Sequence, residues 1–398
     1  MGKRLTKRQR KNIRNFAIKN WTLVIGLIII ILALAITGYY LGWFDKWLNP
    51  DNGNDGDFNP SSIAGKNVTT TVEKLKDLEI TFLDIGQGDC IVLQLPDGKN
   101  MMIDAGDRTS YTQNAIEEFT EAEGITTFDY LLLTHEDADH CGRMAWVIET
   151  YEIKYIFRPN MKSTHKNASS LPEGFNQGDG NISTSASYAN TLVAMYNEGC
   201  PTEFFDKDSD FENKVVCGGE EYKYSFNFLT PTANGEDVSY DEDNDYSPII
   251  LFEYAGVKVL FTGDAGEANL AEYMSNYDDD YNIDIYKVSH HGSKNNISNE
   301  FISAIDPEYA IIQCGVDNSH THPDKEALEI LHNYDSNMKL YRNDTNGNIY
   351  LTITSAGTFD FELEKEDCSG NWIDGDGIQV AFNVKREVVF DERKLQVA

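Results

Sequence analysis

Six of the eight histidines in this 398-residue chain fall in three short clusters, each just past an apolar, strand-like run. His135 and His140 follow Tyr130–Leu133, His290 and His291 follow Ile283–Val288, and His320 and His322 follow Tyr309–Gln313. Only His165 and His332 stand apart. Histidines used as ordinary core or surface residues would scatter. A fold that accounts for this pattern must gather the ends of several strands at one place.

The remaining pattern describes such a fold. Leu78–Leu83, Cys90–Leu95, Asn100–Asp104, Tyr224–Leu229, Pro248–Tyr254, Val257–Phe261, Lys339–Arg342 and Ile349–Ile353 also read as strands. Helices are predicted at Asn114–Glu123, Gly142–Tyr151, Gly266–Asn276, Asn299–Ile305 and Lys325–Tyr334. Strands and helices interleave in both halves of the chain, and no repeat of fixed period is present. This predicts two sheets with helices outside them, a four-layer α/β arrangement. Residues 161–221 are polar and poorly patterned and read as a long excursion on one edge; the tail after Glu364 has a Gly/Asp-rich turn and a strand-like Gln379–Val384.

The segment Thr134-His135-Glu136-Asp137-Ala138-Asp139-His140 places five metal-competent side chains within six residues, directly after a strand. Imidazole and carboxylate together suit Zn²⁺ or Mn²⁺. The competing reading is the acidic first turn of a helix. Asp264, after the strand Val257–Phe261, is placed to bridge two cations, or else is an ordinary turn residue. Adjacent histidines tend to point to opposite sides, so at most one of His290 and His291 is expected to serve a given metal.

The first twenty residues carry eight Lys or Arg and no acid, and Trp21 to about Tyr40 is apolar and uncharged. A cleaved signal peptide would have a shorter apolar core, roughly 7–15 residues. The organisation predicted is therefore a basic cytoplasmic segment 1–20, a transmembrane anchor 21–42, a flexible linker 43–75, a catalytic domain 76–360 outside the cytoplasm and an extension 361–398. The net charge is −32, and the first fifty residues hold nine basic residues against one acid, which leaves −40 on the remainder. A domain that acidic repels polyanions at long range. Of the six cysteines, Cys90, Cys141 and Cys314 lie in or beside apolar segments and read as buried thiols; Cys200, Cys217 and Cys368 are the disulfide candidates.

Six motifs occur in order: Phe82-Leu83-Asp84-Ile85-Gly86-Gln87-Gly88-Asp89, Ile103-Asp104-Ala105-Gly106, the His135–His140 cluster, Thr262-Gly263-Asp264, Ser289-His290-His291-Gly292-Ser293 and His322-Pro323. Over roughly residues 76–356 they resemble the metallo-β-lactamase-fold domain of the ComEC competence-protein family. The resemblance implies an αββα sandwich with its site at one edge of the two sheets. It implies one cation held by His135, Asp137 and Asp264, and a second held by Asp139, His140, His291 and Asp264. Asp104 and Asp84 would brace the ligands from behind. Two departures stand out. Asp137 occupies a place where the wider superfamily has His, and only His165 lies where many members carry a further ligand. The family's members are also polytopic channels, whereas one span is expected here.

The activity expected is hydrolysis of a phosphodiester, with DNA as first choice, by a hydroxide held between two divalent cations. Asp139 would orient the nucleophile, and His322, with His290 beside it, would serve the leaving oxygen or the oxyanion. Ser293, Lys294 and His320 are the candidate substrate contacts, or else parts of a solvated loop. Alternative readings are a phosphoesterase acting on cell-envelope polymers or head groups such as teichoic-acid phosphocholine, and a non-catalytic surface binding module. No obligate protein partner is legible.

Overall fold

The computed structural model describes residues 68–379, apart from 73, 75, 179–181, 206–208, 218, 232–239, 241 and 278–281. The predicted segments 1–20 and 21–42, and residues beyond Gln379, lie outside the described residues. Among the described residues no helix is long and apolar enough to cross a membrane, and the expected single-pass location is corrected on that finding. Within the segment predicted as a linker, Val68–Thr71 pairs in parallel with Phe211–Cys217 as the edge of a sheet.

Two eight-stranded sheets face each other. One runs in space Thr202–Phe204, Ile156–Arg158, Tyr130–Leu132, Asn100–Ile103, Ile91–Gln94, Leu78–Phe82, Ile349–Ile353, Phe359–Leu363. The other runs Val68–Thr71, Phe211–Cys217, Glu220–Thr230, Ile249–Tyr254, Val257–Phe261, Ile285–Lys287, Tyr309–Ile312, Lys339–Arg342. Each sheet mixes antiparallel hairpins with a parallel block. In the first sheet the block is Asn100–Ile103, Tyr130–Leu132, Ile156–Arg158 and Thr202–Phe204; in the second it is the last four strands. Parallel strands in one block end on the same edge, which gathers the loops after Ile103, Leu132, Phe261, Lys287 and Ile312 there.

The layers follow from the burial pattern. Central strands such as Ile91–Gln94 and Tyr130–Leu132 are buried on both faces, which requires cover on both sides. Their inner residues meet the other sheet in one apolar cluster, where the Phe82 and Phe261 rings lie 6.3 Å apart across the sandwich. Truncating such a ring to Ala costs roughly 3–5 kcal/mol. A second cluster packs Ile116, Val147, Tyr188 and Leu192 from helices onto the outside of the first sheet; a third packs Leu270, Phe301 and Leu328 onto the second. The arrangement is the predicted αββα sandwich.

Residues 161–221 differ from the expected polar excursion. They contain a helix, Ala186–Glu198, whose Tyr188, Leu192 and Met195 form a fully buried face. Ser185 caps its start, accepting from the Tyr188 N–H, and Gly199 at φ 69° ends it. Short polar residues between the apolar positions mask this periodicity in the sequence. The loop before the helix is held by Arg158, which is buried and donates to the carbonyls of Met161 and Phe175.

None of the six cysteines is in a disulfide. Cys90, Cys141 and Cys314 are buried as expected. The candidates Cys200, Cys217 and Cys368 are not joined, because they belong to different parts of the fold: the approach to one sheet, the end of a strand in the other, and the tail. That tail is docked. Arg342 donates to the carbonyls of Asn371 and Ile373, and the Gly375 N–H donates to Pro323 O at 2.9 Å.

Candidate metal centre

At the edge where the parallel strands end, three histidine rings from two sheets turn one nitrogen each toward a single carboxylate. His140 Nε2 lies 3.2 Å from Asp264 Oδ2, His291 Nε2 3.5 Å and His135 Nε2 3.9 Å. Asp139 Oδ2 is 3.2 Å from His291 Nε2, and Asp137 Oδ2 is 3.7 Å from His135 Nε2. Asp264 follows its strand through Gly263, whose φ of 47° turns the chain back into the site. The groups His135, His140, Asp264 and Asp139, His140, His291 are each compact enough to hold one ion.

His290 lies at the rim of the centre and, among the described residues, belongs to none of the groups compact enough to hold an ion. Its Nε2 also approaches Asp264 Oδ2, at 3.6 Å. His290 and His291 are both left-handed, at φ 47° and 54°, so their side chains do not alternate as they would in a strand. Both rings reach the same carboxylate.

The opposite ring nitrogens are all engaged, and for His291 and His140 an acceptor-only partner sets the tautomer. His291 Nδ1 lies 2.7 Å from Gln313 O; a carbonyl only accepts, so Nδ1 carries the proton and Nε2 presents a lone pair. His140 Nδ1 donates to Asp104 Oδ2 at 2.8 Å. Asp104 is left-handed at φ 58°, and its carboxylate also accepts from the Thr134 N–H at 2.8 Å and hydroxyl at 2.6 Å. It thereby fixes both the His140 ring and the start of the His135 loop. The Asn296 amide donates to Asp264 O and turns its oxygen to His290 Nδ1 at 3.0 Å.

This arrangement fits divalent cations. Nε2 of His135, His140 and His291 and Oδ1 of Asp264 are buried and lack hydrogen-bond partners. Buried polar atoms without partners are costly unless something else satisfies them. Asp89, Asp104, Asp137, Asp139 and Asp264 crowd the site around one buried amine, Lys287, and two divalent cations would offset the surplus negative charge. Without cations two of the imidazoles, His291 and His140, take up protons instead. Burial works against a charged ring at His291, yet Asp264, Asp139 and Asp89 outweigh it and push its pKa up to about 10. The same balance, with Asp264 and Asp104 as partners, holds His140 well above its usual value.

The Metallo-beta-lactamase superfamily profile matches residues 83–189. ComE operon protein 3 of Bacillus subtilis (strain 168) is 27% identical over 297 residues, covering 71% of this chain and 34% of that protein. Recombination protein 2 of Haemophilus influenzae is 25% identical over 264 residues, 65% of this chain and 27% of its own length. Competence protein ComA of Neisseria gonorrhoeae is 24% identical over 281 residues, 70% and 33% respectively. The chain spans about a third or less of the length of these relatives.

The chain is a ComEC-like metallo-β-lactamase-fold protein.

The fold implies divalent cations and supports a metal-dependent hydrolase. In this ComEC-like site the other expected residues are placed unevenly. His322 lies beside the cluster, its ring centroid 5.5 Å from that of His290, and its Nδ1 is buried without a partner. Burial and the neighbouring His291 and His290 lower its pKa to about 4. His320 is exposed and stacks on His322 with centroids 5.6 Å apart. Lys294 is exposed and its backbone N–H donates to Asp324. Ser293 does not fit a substrate contact: it is 5% exposed and its hydroxyl caps the turn Lys294–Asn296. Asp84 is also corrected. Its carboxylate accepts from the Gly86 N–H at 3.2 Å and its own N–H donates to Asn348, so it shapes the Gly-rich turn and does not touch the ligand set.

Three contributors escaped the sequence reading. Asp89 is 1% exposed, 3.4 Å from His291 Nδ1 and paired with Lys287. Ser247 holds His135 Nδ1 at 3.2 Å and accepts from the Asp264 N–H at 3.1 Å. The Gln87-Gly88-Asp89 turn packs so closely on the ligand loop that a Cβ at Gly88 would lie 2.1 Å from Asp139 O. Asp89 was legible only as the last residue of the Gly-rich motif, with no role attached to it.

Proposed function

We propose that this ComEC-like protein is a metal-dependent phosphodiesterase of the nuclease type, with DNA as its substrate. The observation that carries the reading is the convergence of His135, His140, His290 and His291 on the Asp264 carboxylate, with three of the four Nε2 lone pairs buried and unpartnered. Such a donor set would hold two cations, with His135, Asp137 and Asp264 serving one and Asp139, His140, His291 and Asp264 the other. When bound, divalent cations neutralise charge developing on a phosphoryl group and make water acidic enough to attack at neutral pH.

The chain's own residues do the rest. Asp104 and the Gln313 carbonyl keep the Nε2 lone pairs of His140 and His291 directed into the site. The Asp139 side chain is about one-quarter exposed beside the buried His140, His291 and Asp264, so it faces the space where a water and a scissile bond would meet. His322, neutral at pH 7, donates a hydrogen bond to a substrate oxygen instead of a full proton. The relatives named for recombination and competence favour DNA. The surplus negative charge of the chain favours short or single-stranded segments over a long duplex.

The test is hydrolysis by the Mn²⁺- or Zn²⁺-loaded chain of an aryl phosphodiester, a single-stranded oligonucleotide and a duplex. Cleavage of the oligonucleotide, abolished in Asp139→Ala, supports the reading. Cleavage of the aryl diester alone reassigns the substrate to another phosphodiester. No bound metal and no cleavage overturns the enzyme.

A further inference from the structure

The metal centre is split between the two sheets. His135, Asp137, Asp139 and His140 follow a strand of the first, whereas Asp264, His290 and His291 follow strands of the second. Its geometry therefore depends on how the sheets are set against each other at this edge. Directly beneath it, Lys287, the last residue of a second-sheet strand, reaches Asp89 in a first-sheet turn. Lys287 is 0% and Asp89 1% exposed.

Both members hold ligand loops. Lys287 Nζ donates to Gly263 O at 3.0 Å, the carbonyl immediately before Asp264, and Lys287 O accepts from the Thr262 hydroxyl at 2.8 Å. The Asp89 N–H donates to Asp139 O at 3.2 Å, and Asp89 O accepts from the Gly106 N–H at 3.0 Å. The Asp89 carboxylate lies 3.4 Å from His291 Nδ1 and 3.9 Å from His140 Nδ1. Asp89, Asp104 and His140 form a third group compact enough to hold an ion, and the Lys287 ammonium is already bonded to Asp89 there.

We propose that Asp89 and Lys287 are a positioning pair: the cross-sheet ion pair sets the separation of the two halves of the metal centre, and the ammonium keeps Asp89 from acting as a metal ligand. The pair touches neither substrate nor cation. A buried ion pair is a weak source of stability, because removing both charges is often neutral while removing one leaves the other uncompensated. This separates positioning from mere support.

The inference rests on the two-cation reading, and the test distinguishes the two. Co²⁺ titrations of the full-length protein, followed by visible absorption and by thermal melting, would compare wild type, Lys287→Met and Asp89→Asn/Lys287→Met. The single variant is expected to melt lower, to bind Co²⁺ about 10–100-fold more weakly and to show shifted bands. The double variant is expected to regain most of the lost melting temperature and to keep the shifted bands. If wild type binds two Co²⁺ and the double variant matches it in spectrum and affinity, the pair is structural only and the inference fails. If wild type binds no Co²⁺ tightly, the two-cation reading falls, and the inference with it.

Discussion

His140 Nε2 and Asp264 Oδ2 lie 3.2 Å apart although the two residues follow strands of opposite sheets and are separated by more than a hundred residues in the chain. His140 is 0% and Asp264 1% exposed, and His140 Nε2 has no hydrogen-bond partner. The contact marks the seam at which the two halves of the molecule meet to form one centre.

Replacing Asp264 tests that seam. Asp264→Ala removes the carboxylate that four imidazoles face, and the protein is expected to lose most of its bound metal and at least about 10³-fold in turnover. Metal analysis with a circular-dichroism melt checks this; full metal content in a folded variant would remove Asp264 from the centre.

Asp104 acts at one remove. Its carboxylate orients His140 and holds the Thr134 N–H and hydroxyl. Asp104→Asn should weaken metal binding by roughly 10–100-fold while leaving the fold intact. A competition titration with a chromophoric chelator reads the change.

The metal-free protein should show a distinctive pH dependence. His291 has its pKa pushed up to about 10, and that of His140 is raised well above its usual value. Groups raised on folding stabilise fully below their unfolded value of about 6.5, and the contribution is lost as pH climbs toward the folded value. Metal-free stability should therefore fall from about pH 6.5 toward 10. Cations must displace these protons, so metal affinity should rise over the same range. Calorimetry in two buffers of different ionisation enthalpy should report proton release at pH 7; identical heats would contradict it.

His322 should behave as a neutral hydrogen-bond donor. Its pKa is lowered to about 4, so any acid limb it causes in a pH–rate profile lies near there and not near 6.5. His322→Gln should retain more activity than His322→Ala, with metal content unchanged in both. Equal loss in the two variants would leave the ring without this role.

The docked tail bears on the same loop. A Cβ at Gly375 would lie 1.8 Å from Thr321 O, so Gly375→Ala must move the tail or the loop that carries His322. The expected result is a several-fold fall in kcat/KM at constant metal content, read by steady-state kinetics beside metal analysis.

The sequence by itself determined the elements that local chemistry can write. Apolar runs with polar ends specified most strands, and the clusters after Leu133, Phe261 and Val288 named His135, Asp139, His140, Asp264 and His291, because strand ends in parallel blocks share one edge. Asp104 was legible through the family resemblance carried by Ile103-Asp104-Ala105-Gly106. Only the tertiary structure decided what depends on backbone handedness and on contacts across the sandwich. His290 turned toward Asp264 because two consecutive left-handed residues cancel the alternation expected of neighbours. Ser293 went to a turn cap and Asp84 to the Gly-rich turn, because short polar side chains bond first to the nearest backbone. Lys287 and Asp89 read as a strand lysine and a turn aspartate in the chain. They became a buried pair because packing two sheets together strips water from both, and each is then the opposite charge within the other's reach.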